Sequence, residues 1–235
     1  MKISNVLFVL VTYLATVSSS LADQVIFQPG SAKGEDMWIS SVYNRTSVDD
    51  EKLLVGGWGD AYLSFIKFDL SGLPQNATQA TMWLYSATQG DSSTPVSMNL
   101  YLLVSPWDEQ VSEYSDPLSG YYLGVAPAPP REAWYVLNIS SLYNGWKNGT
   151  YANEGFLFWP TATNNKFNLF RSSDYSDPKY RPKLVVTYNG LNLGFPLDCS
   201  TPNCSGSGNI AYSDGPYTAK GITSVVDHKM EAVYS

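Results

Sequence analysis

The chain has 235 residues, of which 15% are charged, 44% are apolar and 14% are aromatic, and its formal net charge is −7. This composition excludes an intrinsically disordered protein, which has few aromatic residues, and a coiled coil, which is rich in Ala, Glu, Lys and Leu. The length fits one ordinary domain with appended segments. An acidic chain is a poor match for nucleic acid, whose phosphates require clustered Lys and Arg, and we predict no nucleic-acid partner.

Residues 1–22 have the pattern of a secretory signal peptide. Lys2 supplies a positive start, residues 6–14 are largely apolar, and Ser20 and Ala22 are small residues at the positions read by a signal peptidase. The apolar run is too short to span a membrane, and no later segment is apolar enough to do so. We therefore expect a secreted or cell-surface protein in a compartment that permits disulfides.

Two further features agree with export. Cys199 and Cys204 are the two cysteines of the chain, and we expect them to form a disulfide that fixes a small local loop. A redox or metal-binding pair is the alternative, but the spacing is not that of a CxxC motif and no ligand residue lies nearby. Five Asn-x-Ser/Thr sequons predict glycosylation on surface loops, at Asn44, Asn76, Asn138, Asn148 and Asn203.

Short runs of β-branched and aromatic residues, bounded by Gly, Pro, Asn, Asp or Ser, predict strands along most of the chain. In chain order, these runs are residues 62–70, 81–85, 98–104, 134–137, 155–159, 167–170 and 183–188. The run 98–104 is apolar on both faces, which predicts a central strand covered on each side. Many strands with almost no helix indicate an all-β sandwich.

One helix is expected, over Ser140–Lys147. Leu142, Tyr143 and Trp146 would lie on one face of this helix, and Ser140 is a candidate for its cap. The last predicted strand ends at Tyr188 and sets the domain boundaries. We assign residues 1–22 to the signal peptide, 23–190 to the folded domain and 191–235 to a linker or truncated extension that regains apolar character at 222–226.

The inventory of catalytic residues is small. His228 is the single histidine and lies in the C-terminal extension, so a Ser-His-Asp or Cys-His site, or a zinc site with two imidazoles, is excluded from the folded domain. Carboxylates such as Asp36, Asp60, Asp108 and Glu109 fall in predicted loops, and nothing in the sequence places two of them across a sugar as a glycosidase requires. We expect no catalytic residues and no organic cofactor.

Acidic loops suggest a structural calcium ion. Asp49-Asp50-Glu51 and the segment 174–177 supply the oxygen ligands that Ca²⁺ prefers, although neither has the spacing of an EF-hand. An exported sandwich with few cysteines would benefit from such a stabilising ion. We expect a structural Ca²⁺ and assign no particular ligands to it.

Aromatic residues within polar segments are the best indication of a binding function. Trp58 lies between glycines and Asp60, and Trp38 borders a polar stretch. A flat ring beside a polar side chain suits a sugar, which offers C–H groups and hydroxyls. The alternative is that Trp58 only closes the edge of the core. The predicted ligand-binding residues are Trp38, Trp58, Asp60, Tyr62, Lys67, Arg171 and Arg181.

An ordered series of motifs resembles the DNRLRE domains of secreted bacterial and archaeal proteins, which are related to disaggregatase-type modules and to carbohydrate-binding module family 96. The motifs are LxVG at 53–56, FIKFDLSGLP at 65–74, ATQATMWLY at 77–85, WDE at 107–109, a Leu-Asn-Ile-Ser element ending in Trp at 137–146, NEGFLF at 153–158, and RSS leading to RPKLVVTY at 171–188. The resemblance covers residues 24–188 and implies a β-jelly-roll. It also implies a module appended to enzymes or surface proteins, with polysaccharide ligands that include acidic alginate.

Two departures bear on the ligand. The chain is acidic, whereas recognition of an acidic glycan should rest on Lys and Arg. A local basic cluster exists nevertheless, formed by Lys166, Arg171, Lys179, Arg181 and Lys183. The segment 217–230 is similar to the junction before a lysostaphin-like metallopeptidase module, although the zinc ligands of the peptidase are missing. This similarity implies either a downstream enzymatic module in a longer polypeptide or a relative that has lost the enzyme.

Three functions are consistent with these observations. The favoured hypothesis is a non-catalytic exported module that binds cell-wall or extracellular polysaccharide, with an acidic glycan among the candidates. The alternative is a structural surface protein, an adhesin or fibre subunit, that associates with itself through strand exchange. A polysaccharide lyase or hydrolase ranks last.

Overall fold

The computed structural model describes residues 22–43, 50–88, 94–110, 112–114, 116 and 118–189, together with the backbone of Tyr212–Ser213. The strands are β1 (Ala22–Gln28), β2 (Glu35–Ser40), β3 (Lys52–Gly57), β4 (Tyr62–Lys67), β5 (Gln79–Ala87), β6 (Met98–Leu103), β7 (Gly120–Ala126), β8 (Ala133–Asn138), β9 (Phe156–Pro160), β10 (Lys166–Arg171), β11 (Lys183–Asn189) and β12 (Tyr212–Ser213). One α-helix, α1 (Ser140–Lys147), and one 3-10 turn (Pro178–Tyr180) complete the described elements. The all-β fold predicted from the sequence is therefore confirmed.

The strands form a curled, almost entirely antiparallel sheet. Their order is β12-β1-β11-β5-β10-β3-β4-β9-β6-β7, with β8 beside β5 and β2 beside β4. The sheet folds over on itself, so that β1, β11, β5 and β8 face β4, β9 and β6 across one interior. This arrangement is a jelly-roll-like sandwich, in which Greek-key connections bring distant strands side by side. The pairing of β1 with β12 is the parallel exception.

The main core lies between the two layers. Phe170 of β10 is 1% exposed, and its ring centroid lies 5.8 Å from that of Tyr135 on β8 and 6.4 Å from that of Phe158 on β9. These contacts tie one layer to the other through stacked apolar side chains, whose removal from water stabilises the fold.

The prediction that β6 is covered on both faces is confirmed only in part. Leu102 lies on the face that forms the main core, whereas on the outer face Leu103 is buried in a second cluster and Asn99 and Tyr101 are half-buried.

Helix α1 has the predicted bounds and the predicted buried face. Tyr143 is fully buried, and its hydroxyl donates a hydrogen bond to the Pro74 carbonyl at 2.5 Å. Ser140, however, does not cap the helix. It is the first helical residue, and its hydroxyl accepts a hydrogen bond from Ala80 N at 2.9 Å and donates one to Asn138 Oδ1 at 2.7 Å. The hydroxyl thus fixes the helix to β5 and β8.

Several sequence-based predictions lie partly or wholly outside the described residues. These are the signal peptide up to residue 21, the sequons at Asn44 and Asn203, the pair Cys199 and Cys204, the segment 222–226 and His228. Of the other sequons, Asn76 and Asn148 are exposed, whereas Asn138 is half-buried at the end of β8. Within the described part of the chain, no helix is long and apolar enough to cross a membrane.

Candidate functional site

The outer face of β5 carries aromatic side chains, because alternate residues of a strand point to opposite faces of a sheet. Met82 is buried in the core, so Trp83 and Tyr85 point outward, where both are half-buried. The strand register places Trp134 of β8 opposite Tyr85, and Lys183 of β11 opposite Trp83. Opposed residues of antiparallel strands share one face. Three strands therefore contribute to a single surface.

Aromatic rings follow one another along this surface. The ring centroids of Trp83 and Trp134 are 6.0 Å apart, and those of Trp134 and Tyr85 are 5.5 Å apart. Tyr180 lies 4.3 Å from Tyr85, and Tyr175 lies 6.3 Å from Tyr180. These spacings are those of favourable aromatic pairs. The series runs from the strands into the loop that precedes β11.

The 3-10 turn Pro178–Tyr180 positions the last two rings. Proline favours the first position of such a turn, and the Asp177 carboxylate accepts a hydrogen bond from Lys179 N at 3.2 Å. Arg181 then donates from Nε to the Tyr175 carbonyl at 2.7 Å. The turn is thus held at both ends, and Tyr180 is held against Tyr85.

Cationic groups lie over several of these rings. The Lys183 ammonium is 4.1 Å from the Trp134 ring centroid and 5.0 Å from that of Trp83. Burial between the two indoles lowers the pKa of Lys183, and the rings offset part of the lost hydration through cation–π attraction. An anionic ligand close to this ammonium would stabilise its charged form.

Two further cations flank the loop rings. Arg171 Cζ lies 4.0 Å from the Tyr175 ring centroid, and the Lys179 ammonium lies 4.6 Å from that of Tyr180. The Lys179 ammonium also contacts an Asp177 carboxylate oxygen at 2.9 Å. We call the whole surface the cationic aromatic face. It consists of Trp83, Tyr85, Trp134, Arg171, Tyr175, Lys179, Tyr180, Arg181 and Lys183.

The phenol of Tyr85 stays protonated on this face. Burial raises the pKa of Tyr85, and the neighbouring Tyr180 and Glu132 raise it further, although Arg171 acts in the opposite direction. A protonated phenol both donates and accepts hydrogen bonds. The face therefore combines ring surfaces, a hydroxyl and positive charge, which are the groups needed to bind a sugar that carries an acid.

Four of the residues predicted as ligand contacts meet at a second place, where β2 ends and β4 begins. The rings of Trp38 and Tyr62 are 5.4 Å apart. Asp60 accepts hydrogen bonds from Ser40 Oγ at 3.0 Å and from Trp58 N at 3.2 Å. Burial, followed by the charge of Asp60 and a hydrogen bond to it, raises the pKa of Tyr62. The Asp60 carboxylate is thus already engaged in holding its loop.

Trp58 is 48% exposed, and its ring centroid lies 5.5 Å from that of Phe167. Phe167 belongs to a small apolar cluster that also contacts Trp38 and Tyr62 on one side and Ala87 on the other. Ala87 is two residues beyond Tyr85 on the same face of β5. The group formed by Trp38, Trp58, Asp60 and Tyr62 is therefore connected, through Phe167 and Ala87, to the cationic aromatic face.

The three basic residues predicted as ligand contacts do not lie together in the structure. Arg171 and Arg181 belong to the cationic aromatic face, as described above. Lys67 lies at the other end of β4, where its ammonium pairs with Glu35 at 2.5 Å and with Glu154 at 3.6 Å. It also lies 5.5 Å from the ring centroid of Trp107, which belongs to the outer cluster against which Tyr114 and Leu118 pack. Lys67 does not join the other predicted contacts.

None of the five rings of the cationic aromatic face is among the predicted contacts. Trp83, Tyr85 and Trp134 have the character expected of strand residues, and the sequence assigns no further role to them. The sequence does contain one indication for Trp83 and Tyr85. They are two residues apart on a strand whose side chains alternate between its two faces, so both point away from the core. Tyr175 and Tyr180 have no such signal, because only the fold brings their loop to β5.

The described residues contain no group of three or more His, Cys, Asp or Glu side chains arranged to hold a metal ion. The two acidic segments expected to bind calcium nevertheless touch each other. Glu51 accepts a hydrogen bond from Ser176 N at 2.9 Å, and the Asp50 carbonyl accepts one from Ser172 Oγ at 2.5 Å.

A jelly-roll-like sandwich that carries a surface of aromatic rings and polar groups has the architecture of a carbohydrate-binding module. The family model of carbohydrate-binding module family 96 matches residues 31–188, and the chain belongs to this family. The matched region runs from the turn before β2 to β11 and contains every residue of the cationic aromatic face. The family predicted from the sequence motifs is thereby confirmed. A search of the curated proteins found no match to this chain.

Proposed function

We propose that this chain is a non-catalytic, exported module that binds an acidic polysaccharide on the cationic aromatic face. Membership of a carbohydrate-binding module family supports the general function. The contact of the Lys183 ammonium with both the Trp83 and the Trp134 ring is the observation that carries the choice of ligand and face. The module would attach its protein to a cell-wall or extracellular glycan.

The rings provide the contact that is independent of charge. An aromatic side chain offers a large, rigid apolar surface at a small cost in conformational entropy. Because Trp83, Trp134 and Tyr85 are fixed by strand pairing and by one another, little ordering is needed on binding. Successive rings would contact successive sugar rings of an extended chain.

Positive charge provides the selection for an acidic polymer. Arg171, Lys179 and Lys183 each lie within 5.0 Å of a ring of the face. A guanidinium binds a carboxylate in a bidentate manner, and an ammonium binds it as a point charge. These cations are grouped on one face of a chain whose net charge is −7, and Lys179 among them is paired with Asp177.

Affinity electrophoresis on a panel of glycans tests this proposal. We expect retardation by polyuronates such as alginate or pectin, weaker retardation at high salt, and little by neutral polymers. Lys183→Met keeps the aliphatic contact with both indoles but removes the charge, and we expect it to weaken binding about 3- to 10-fold. The matched control is Lys33→Met, since Lys33 lies in the exposed turn before β2.

Equal retardation of the Lys183→Met and wild-type proteins on polyuronates would contradict the assignment of the face. Retardation by neutral polymers alone would contradict the acidic ligand. Shortening of the polymer by the purified chain would show that the module is an enzyme.

Self-association is a second candidate function, supported by β7. This strand pairs with β6, has no second partner strand among the described residues, and presents Tyr121, Tyr122 and Val125 to solvent. Exposed apolar residues on an edge strand favour pairing with another chain. An adhesin or fibre subunit should show oligomers that increase with concentration in sedimentation analysis. A monomer at all concentrations would count against this function.

A further inference from the structure

Strand β10 leads away from the cationic aromatic face. Arg171 of that face is the last residue of β10 and interacts electrostatically with Tyr85. Leu169 and Phe167 precede it at alternate positions, and alternate residues of a strand share one face of the sheet. At the far end, the ring centroid of Trp58 lies 5.5 Å from that of Phe167. Strand β10 thus connects the face to a second aromatic residue, 48% exposed, that the glycan-binding proposal does not use.

A hollow lies on this path, where β5 ends beside β10. Among the described residues, the last pair between β5 and β10 joins Ala87 to Leu169. One position further along β10, Asn168 accepts a hydrogen bond at Oδ1 from Val96 N at 2.9 Å and donates one from Nδ2 to the Val96 carbonyl at 2.8 Å. The segment that contains Val96 thus replaces β5 beside β10, and this change of neighbour leaves an opening. The lining of this opening, which we call the β10 hollow, includes Ala87, Thr88, Pro95, Arg131, Phe167 and Leu169.

The β10 hollow suits a substituent of a sugar ring, because it is too small for the ring itself. Phe167 and Leu169 belong to one apolar cluster and supply apolar surface. Arg131 is exposed and lines the hollow from the loop before β8. A guanidinium binds a carboxylate through two parallel hydrogen bonds. A uronate would therefore place its carboxylate at Arg131 while its ring lies over the apolar residues.

The length of the path fits an extended polymer. Phe167 precedes Arg171 by four positions on β10. At about 3.4 Å per strand residue, this separation is about 14 Å. The register of β3, in which Gly57 pairs with Lys166, places Trp58 beyond the start of β10. Several sugar units are needed to cover this distance, whereas a shorter chain reaches the rings of the cationic aromatic face alone.

We propose that the glycan site continues along β10, so that a longer acidic polysaccharide extends from Arg171 across the β10 hollow to Trp58. In this arrangement, Arg131 binds the carboxylate of one uronate unit, and the Trp58 ring contacts the apolar face of a unit further along. The turn that carries Trp58 is held by the Asp60 carboxylate, which accepts a hydrogen bond from Trp58 N at 3.2 Å. This inference rests on the proposed function, because it extends the same binding face.

Calorimetric titration of the full chain with alginate oligosaccharides, from the disaccharide to the decasaccharide, tests this proposal. The wild type should bind short oligosaccharides through the cationic aromatic face and gain affinity once the chain is long enough to reach Trp58. Trp58→Ala should leave the affinity for short oligosaccharides unchanged and lower that for long ones about 5- to 20-fold.

Arg131→Gln provides a second measurement that leaves the Trp58 ring in place. We expect it to lower the affinity for long oligosaccharides about 3- to 10-fold, with a smaller loss at high salt. Longer chains also bind in more registers, and this statistical gain should persist in both variants. The part of the gain that a variant loses therefore measures the contact itself.

Tyr122→Ala is the matched control, because Tyr122 is an aromatic residue of similar exposure, 56%, on β7, which is far from β10 in the strand order. It should bind every oligosaccharide as the wild type does. If short oligosaccharides bind but Trp58→Ala matches the wild type at every length, or loses the same factor at every length, the extension along β10 is wrong and the proposed function stands. If the wild type binds no oligosaccharide of any length, both are wrong.

Discussion

Replacing Trp134 by Ala should lower the affinity for an acidic polysaccharide about 10- to 100-fold, the loss typical of a central aromatic contact. Trp134 contacts Trp83 and Tyr85, and it forms one wall of the site that holds the Lys183 ammonium. Its removal would therefore take away a ring surface and release the cation from its position. The affinity should be measured by calorimetric titration with a polyuronate oligosaccharide.

Trp159→Ala is the matched control for this prediction. Trp159 is also a half-buried tryptophan on a strand, but it lies on β9 and contacts Tyr114, in the outer cluster of the opposite layer. We expect a similar loss of stability and an unchanged affinity. If the two variants lose affinity equally, or if Trp134→Ala binds as the wild type does, the cationic aromatic face is not the binding surface.

Replacing Phe170 by Ala should lower the free energy of unfolding by about 3–5 kcal/mol, the usual cost of deleting a buried phenyl ring. The ring contacts Tyr135 and Phe158 and so bridges the two layers of the sandwich. In a domain of this size, such a loss should lower the Tm by about 10 °C or more. Denaturant titration followed by tryptophan fluorescence measures the change.

Phe170→Leu keeps most of the buried volume and should cost less than about 1.5 kcal/mol. If Phe170→Ala lowers the free energy of unfolding by about 1 kcal/mol or less, the Phe170 ring does not connect the two layers of the sandwich as described. Either variant should retain its affinity for the glycan at low temperature while it remains folded, because Phe170 faces the interior.

Elements with a strong local pattern were predictable from the sequence. Helix α1 has the expected bounds, since its apolar residues recur at helical spacing. The strand β5 was also expected, although the structure extends it at both ends. In each case, neighbouring residues alone determine the secondary structure.

Strands with a weak local pattern were missed. The strand β2 includes Glu35 and Asp36, and acidic residues are unusual in a strand. These residues are held in the strand by its pairing with β4 and by the hydrogen bond from Ser173 N to Asp36. The strand β7 contains Gly120 and Gly124 and is largely exposed, so it lacks the alternation of a half-buried strand. The formation of such strands depends on pairing with neighbouring strands, which the local sequence does not show.

The candidate site was predictable only in part, for a related reason. Nearness in sequence linked Trp58 to Asp60 and Tyr62, and the structure does place these residues together at the start of β4. Tyr85 and Tyr180 are far apart in sequence and meet because β11 pairs with β5. No local pattern encodes such a contact, since it is a property of the strand order.

The most direct test of the account follows the indole N–H signals of the seven tryptophans by NMR during titration with a uronate oligosaccharide. We predict that the signals of Trp83 and Trp134 shift as the ligand saturates, while those of Trp107 and Trp146 in the buried clusters stay in place. Saturable shifts confined to Trp159 would place the glycan on the opposite layer. That result would contradict the central claim.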